Sequence, residues 1–388
     1  MKIIRNIFLS IIFFVGSAAI AEEAHLFTWV DQDDVPFIQY YIDKYGAEPK
    51  TSVFEDEDEA FAKLRAGYSA DVYGPCSYEI PRWRDAGLIQ AIDVSKLEHW
   101  EKIPSSLRNM PGVYDDEGKV WFVPHFFGNT SVIVNTTLAP EYAGENNSWD
   151  ILWDPKYKGR VGILAGAVDT VPFVAAHIGI DAYTMTDSEW EKVKVKMIAL
   201  VDQARIITNV TGELESAMAQ REVVAVEAWN DSFNNLIWDE EFTDSIEYMQ
   251  PKDQKIFSWV CGFALSSTAG GEVPIEKAYA LIDSGLSIGA AQFLIEDWGY
   301  APANTDGFGV ASEEALDLII VDISDIDAWL ANTIFQEANI PNFEKVVEEW
   351  ELKGCWIMSA NFGDLDFASA EPVEITLSLR YDYAVHKF

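Results

Sequence analysis

Short apolar runs alternate with amphipathic stretches from residue 24 onward. HLFTWV, TSVFE and ADVYG are compact and rich in β-branched or aromatic residues, and each predicts a strand. Between and after them, Val35 to Tyr45, Glu57 to Ala66 and Glu79 to Ala86 place apolar residues at helical spacing and predict helices. Strand and helix in alternation imply an α/β fold with parallel pairing. Ligands of such sheets sit beyond the carboxyl ends of the strands, and Trp29-Val30-Asp31 and Cys76-Ser77-Tyr78 fall at two of those ends.

The alternation breaks at VWFVPHFFGNTSVIVN, where two extended segments flank Pro124 to Gly128 with no helix between them, as expected of a chain crossing between domains. A second α/β unit follows. It comprises a helical SWDILWDPKYKG element, the strand RVGIL, the turn AGAVDT, a helix from Ser188 to Gln203 and the strand VVAVEA running into Trp229. IFSWVCGFAL reads as a strand returning to the first unit. Helices over Pro274 to Ile288 and Ala290 to Asp297, the turn GYAPAN and a last helix over Asn342 to Leu352 complete the pattern. Two units joined by at least two crossings form a hinge whose cleft can close on a ligand.

The first residues place Lys2 and Arg5 ahead of an apolar run from Ile7 to Val15 and end in Ala19-Ile20-Ala21, the form of a cleavable export signal. The run falls short of the roughly 18 apolar residues needed to span a bilayer, and no later stretch is expected to span one. The expected divisions are a signal peptide over 1–21, a first lobe of 22–127 plus 260–306, a second lobe of 128–259 plus 307–354, and an extension of unassigned role over 355–388. At 388 residues and 49% hydrophobic composition the chain can bury a large core. Its three cysteines, Cys76, Cys261 and Cys355, show no zinc-ligand spacing, and which pair, if any, bonds in an oxidising compartment is not readable. The formal charge of −37 repels nucleic acid and anionic lipid and attracts cations, although an acidic surface kept for solubility accounts for most of it. GxSxG, HExxH, P-loop and GxGxxG signatures are absent and the five histidines are dispersed, so neither catalysis, a metal nor a cofactor is expected.

In order and spacing, FTWVD, VFEDEDEAFAKLRAG, DVYGPCSYEIPRWRDAGLIQAID, SWDILWDPKYKGRV, AWNDSF, WGYAPAN and FQEANIPNFEKVVEEW resemble the spermidine/putrescine-binding proteins of bacterial ABC importers, over roughly Ala24 to Lys353. The resemblance implies a two-lobed type II periplasmic binding fold, each lobe a mixed sheet flanked by helices, with a polyamine held between the lobes. It further implies a monomer in the periplasm that delivers its ligand to the permease subunits of the importer. The implied ligand contacts are Trp29, Asp31, Cys76, Tyr78, Trp229, Trp259, Tyr300 and Gln336. Two departures stand out. Cys261 occupies a position where the family has an aspartate, and the expected acidic pair of the second lobe is reduced to Asp169 and Thr170. Asp231, two residues past Trp229, is a compensating candidate.

These residue types suit a cation. A ring face within about 6 Å of an ammonium returns roughly 0.5 to 2 kcal/mol and covers the methylene stem, while carboxylates supply charge-assisted hydrogen bonds. Each also has an ordinary structural role: tryptophans pack cores, Asp31 and Asp231 suit helix starts, and buried cysteines are small hydrophobes. The acidic run Glu55 to Glu59 is read as complementing the positive end of a helix, with no further function. With Cys261 in place of an acid, a receptor for a singly charged, quaternary-ammonium or betaine-type solute is the alternative to a polyamine receptor. An exported structural or adhesive protein is a second alternative.

Overall fold

The computed structural model describes residues 22–30, 32–252 and 254–337, together with the backbone of four short strands beyond residue 349. The export signal, Asp31 and Cys355 lie outside the described residues.

The strands are β1 (His25–Trp29), β2 (Lys50–Phe54), β3 (Val72–Gly74), β4 (Ile89–Gln90), β5 (Val123–Asn135), β6 (Val161–Leu164), β7 (Ala204–Thr208), β8 (Ala225–Trp229), β9 (Ile246–Tyr248), β10 (Ile256–Ser266), β11 (Ala301–Pro302) and β12 (Thr333–Phe335). Their order across the sheet is β2-β1-β3-β10-β5-β8-β6-β7. β1 lies parallel to β2 and β3, and β6 lies parallel to β7 and β8, so each lobe has the parallel pairing expected of its strand-helix alternation. β5 and β10 run antiparallel between the two groups, 13 and 11 residues long, and are the two crossings.

Burial follows the same division. One core gathers residues from Ala24 to Phe127 with Val260 to Ala303, Trp83 and Phe122 among them. Two others, one on each side of the β5–β8–β6 sheet, gather residues between Val132 and Phe257. The segment after residue 307 that the sequence reading allots to the second lobe makes part of its contacts elsewhere: Leu330 joins the first-lobe core, with Ile326 and Trp329 packed against it. Between Ile275 and Trp298 the chain is long and apolar enough to cross a membrane, mean hydropathy 1.3, which the sequence reading did not anticipate. Its most apolar window is 72% buried within the protein, so the run serves as a core helix.

Local differences from the expected elements have physical causes. Pro124 does not interrupt β5, because the ladder shifts register between Cys261 and Gly262, a bulge opposite the residue that lacks an N–H. A side chain at Gly262 would put its Cβ 2.1 Å from the Val123 carbonyl oxygen, so glycine is needed where the strands close up. SWDILWDPKYKG winds into two 3₁₀ turns, Trp149–Trp153 and Pro155–Tyr157, capped by Ser148 and Asp154. AGAVDT is a helix start, since Ala167–His177 is helical and carries Asp169 in its first turn. The expected helix over Asn342 to Leu352 is corrected at its end: Trp350–Lys353 is a strand, β13, followed by β14 (Trp356–Asn361), β15 (Thr376–Arg380) and β16 (Tyr383–His386). The pairs Trp350↔His386, Lys353↔Tyr383, Trp356↔Arg380 and Asn361↔Thr376 nest inside one another, which is the register of a single long hairpin.

Candidate functional site

Sheet register brings the tryptophans together. Across β5, Gly128 faces Trp259 and Thr130 faces Trp229, so the two indoles rise from one face of the sheet two residues apart. Their ring centroids are 6.4 Å apart. Gly128 leaves room for this: a Cβ there would fall 2.3 Å from the Trp259 ring.

Tyr300 arrives from the other side. Gly299 ends the preceding helical turn at φ 68°, a left-handed conformation that favours glycine, and its carbonyl accepts the Asn230 side-chain N–H at 2.9 Å. Asn230 also accepts the Asn129 backbone N–H at 3.0 Å, so one buried amide ties the Tyr300 turn to β5 and to the end of β8. The Tyr300 ring meets Trp259 edge-on at 4.8 Å and stacks on Phe126 at 5.6 Å. Trp29 ends β1 and Tyr78 follows β3 in the turn Ser77–Glu79, and both pack against this group. All five rings singled out in the sequence thus belong to one cluster drawn from both lobes.

Carboxylates edge the cluster. Asp169 is buried and its Oδ1 accepts from the Trp229 indole N–H at 3.2 Å and from the Gln336 amide at 2.8 Å. Burial raises its pKa to about 6, against those two donors. Asp231 is half-buried in the first turn of the helix Asn230–Trp238, where it engages the Tyr300 hydroxyl, and burial raises it also to about 6. The N-cap position of that helix belongs to Trp229, so Asp231 does not hold the capping position its place at a helix start suggests. Behind Asp169, Glu227 is fully buried, accepts from the Thr170 hydroxyl at 3.1 Å and is pushed well above the ordinary carboxylate range by burial.

Cys76 and Cys261 line the same cluster but are bonded to each other as a disulfide across 185 residues of sequence. Neither presents a thiol to a ligand, and the pairing left open by the sequence is settled because the first turn after β3 lies beside β10.

Two contributors escaped the sequence reading. Phe126 was hidden in an apolar run whose facing it could not resolve. Glu57 was read as helix-end charge, yet it is buried with Ala60 and Leu64 on the inner face of the helix Glu57–Arg65. The i, i+3, i+7 spacing of those three residues was the available signal. Glu57 Oε1 accepts the Cys76 backbone N–H at 2.6 Å, and its carboxyl group lies against the Tyr78 hydroxyl.

This arrangement can enclose an alkyl chain with rings and meet positive charge at its edges. The chain is 24% identical over 297 residues to the spermidine/putrescine-binding periplasmic protein 1 of Haemophilus influenzae, covering 75% of this chain and 78% of that protein. It is likewise 24% identical over 294 residues to the spermidine/putrescine-binding periplasmic protein of Escherichia coli K12, covering 74% and 80%. The fold matches the spermidine/putrescine ABC transporter substrate-binding protein PotD of Streptococcus pneumoniae with a TM-score of 0.66 at 20% identity, covering 81% of this chain and 93% of that one. It matches the TpPotD lipoprotein of Treponema pallidum with a TM-score of 0.68 at 17% identity, covering 81% and 94%. Residues 79–283, more than half of the sequence, match the model of the bacterial extracellular solute-binding proteins, and the chain belongs to that family.

Proposed function

We propose that the protein is the substrate-binding component of an ABC importer and that it holds a putrescine- or spermidine-like polyamine between its lobes, without catalysing a reaction. In this reading it acts in the periplasm as a monomer after removal of residues 1–21 and passes its ligand to the permease subunits. The observation that carries it is the convergence of Trp29, Tyr78, Trp229, Trp259 and Tyr300 on one cluster edged by Asp169 and Asp231. Ring faces replace part of an ammonium's lost hydration and cover its methylenes. The acids hold the charge through hydrogen bonds stronger than neutral ones. The names of the Haemophilus influenzae and Escherichia coli relatives support the same ligand class.

The test is a thermal-shift and calorimetric panel of putrescine, cadaverine, spermidine, choline and betaine. At 100 times its Kd the true ligand stabilises the protein by about 2.7 kcal/mol. Betaine belongs in the panel because the buried indole N–H groups of Trp29 and Trp259 find no acceptor among the described residues and would suit a ligand oxygen. A response to choline or betaine with none to any diamine overturns the polyamine reading.

A further inference from the structure

Where the resemblance expects an aspartate two residues past Trp259, this chain has a disulfide-bonded cysteine, which carries no charge. We propose that Glu57 supplies the missing carboxylate and sets specificity by receiving one ammonium group of the ligand at the disulfide end of the cleft. The inference rests on the amine-receptor reading above.

Position is the first argument. Glu57 Oε1 accepts the N–H of Cys76, itself bonded to Cys261, so the acid touches the residue joined to the site of the lost aspartate, whose Cα lies 3.8 Å from that of Cys76. Its carboxyl group lies against the hydroxyl of Tyr78, a member of the aromatic cluster. The second argument is that neither the helix cap nor an ion pair requires this acid. The helix it opens is capped by Asp56, whose Oδ1 accepts the Glu59 N–H at 2.8 Å. Its neighbours Asp58 and Glu59 are exposed, as first-turn acids ordinarily are, whereas Glu57 is 5% exposed. Arg82, the nearby cation, is taken by Asp58 at 2.6 Å and Glu79 at 3.3 Å. Among the described residues Glu57 Oε2 has no partner at ordinary hydrogen-bond distance, the Tyr78 hydroxyl being the side-chain donor set toward the carboxyl, and burying such an oxygen is costly unless something else completes its bonding.

The groups facing Glu57 are Tyr78, Glu79, Asp56 and the Cys76 N–H. Burial first, then repulsion from Glu79, lifts its pKa to about 8. The acid therefore holds a proton until a cation arrives. Binding then transfers that proton to solvent, and the carboxylate accepts an N–H from the ammonium. A carboxylate from the first lobe together with Asp169 and Asp231 of the second selects a ligand charged at both ends, a diamine or polyamine, over one with a single ammonium.

The experiment is calorimetric titration of the full mature chain with putrescine and with butylamine, for the wild type and Glu57→Gln. Glutamine keeps an oxygen for the Cys76 N–H, so the fold should persist, and a melting curve checks this. Loss of one partner of a buried charge pair should weaken putrescine about tenfold or more and lower its preference over butylamine by a similar factor. Titration at about pH 7.5 in two buffers of different ionisation enthalpy counts protons released. Asp169 and Asp231 are already ionised there and Glu57 is mostly protonated, so the wild type should release roughly three quarters of a proton per putrescine and the variant close to none. Unchanged affinity and proton count in Glu57→Gln overturn the assignment and leave the amine reading standing. A wild type that binds no amine overturns both.

Discussion

Asp169 couples the stability of the fold to pH. Its folded pKa of about 6 lies above the roughly 3.9 of an unfolded aspartate. Between those values the folded protein holds a proton that the unfolded chain has released, so stability is greatest below the unfolded pKa and falls as pH rises through the folded one. The unliganded wild type should therefore lose stability relative to Asp169→Asn between pH 4 and 7, read as a melting-temperature difference between the two that changes sign or widens across that window. A cationic ligand favours the ionised form, so amine affinity should rise over the same range. The rings act differently, through contact and not titration. Trp229 donates to Asp169 and sits 6.4 Å from Trp259, and Trp229→Ala should cost roughly 1 to 3 kcal/mol of amine binding by calorimetry, with less effect on its pH dependence.

Among the elements, β10 carries the most consequence, because its register against β5 presents Trp259 and its bulge accommodates Pro124. Gly262→Ala would force a Cβ against a backbone oxygen that cannot move without shifting the strand. A loss of about 1 to 3 kcal/mol is expected, measured as a lowered denaturant midpoint. The disulfide fixes the same strand to the turn that carries Tyr78. Closing a loop across 185 residues restricts the unfolded chain strongly, and the pair Cys76→Ser with Cys261→Ser should lose about 2 to 4 kcal/mol. Reductant should lower the melting temperature of the wild type and leave the double variant unmoved.

At the scale of the molecule, two long strands run between groups of strands whose main cores are separate, the connectivity that a hinge between lobes requires. The cluster of rings lies at that junction, drawing residues from β1, the turn after β3, the end of β8, β10 and the Tyr300 turn. The net charge of −37 adds a long-range field that attracts a cation before any contact forms. Stopped-flow association of the amine should slow as salt rises from low ionic strength to about 0.5 M, because the Debye length shrinks to a few ångströms.

The sequence by itself determined the local order: strand and helix alternate in it, the second crossing is a plain apolar strand, and tryptophans and tyrosines stand at strand ends where α/β sheets bind ligands. Each of these is encoded by neighbouring residues, through side-chain period and turn chemistry. Only the tertiary structure decided which of the many aromatic residues meet, since that depends on the register Trp259↔Gly128 and Trp229↔Thr130 between strands far apart in the chain. It also decided that Cys76 pairs with Cys261, and that one glutamate in an acidic run turns inward beside them while its neighbours face water. Pairings over such separations leave no trace in local pattern, because the free energy that selects them comes from packing the whole sheet.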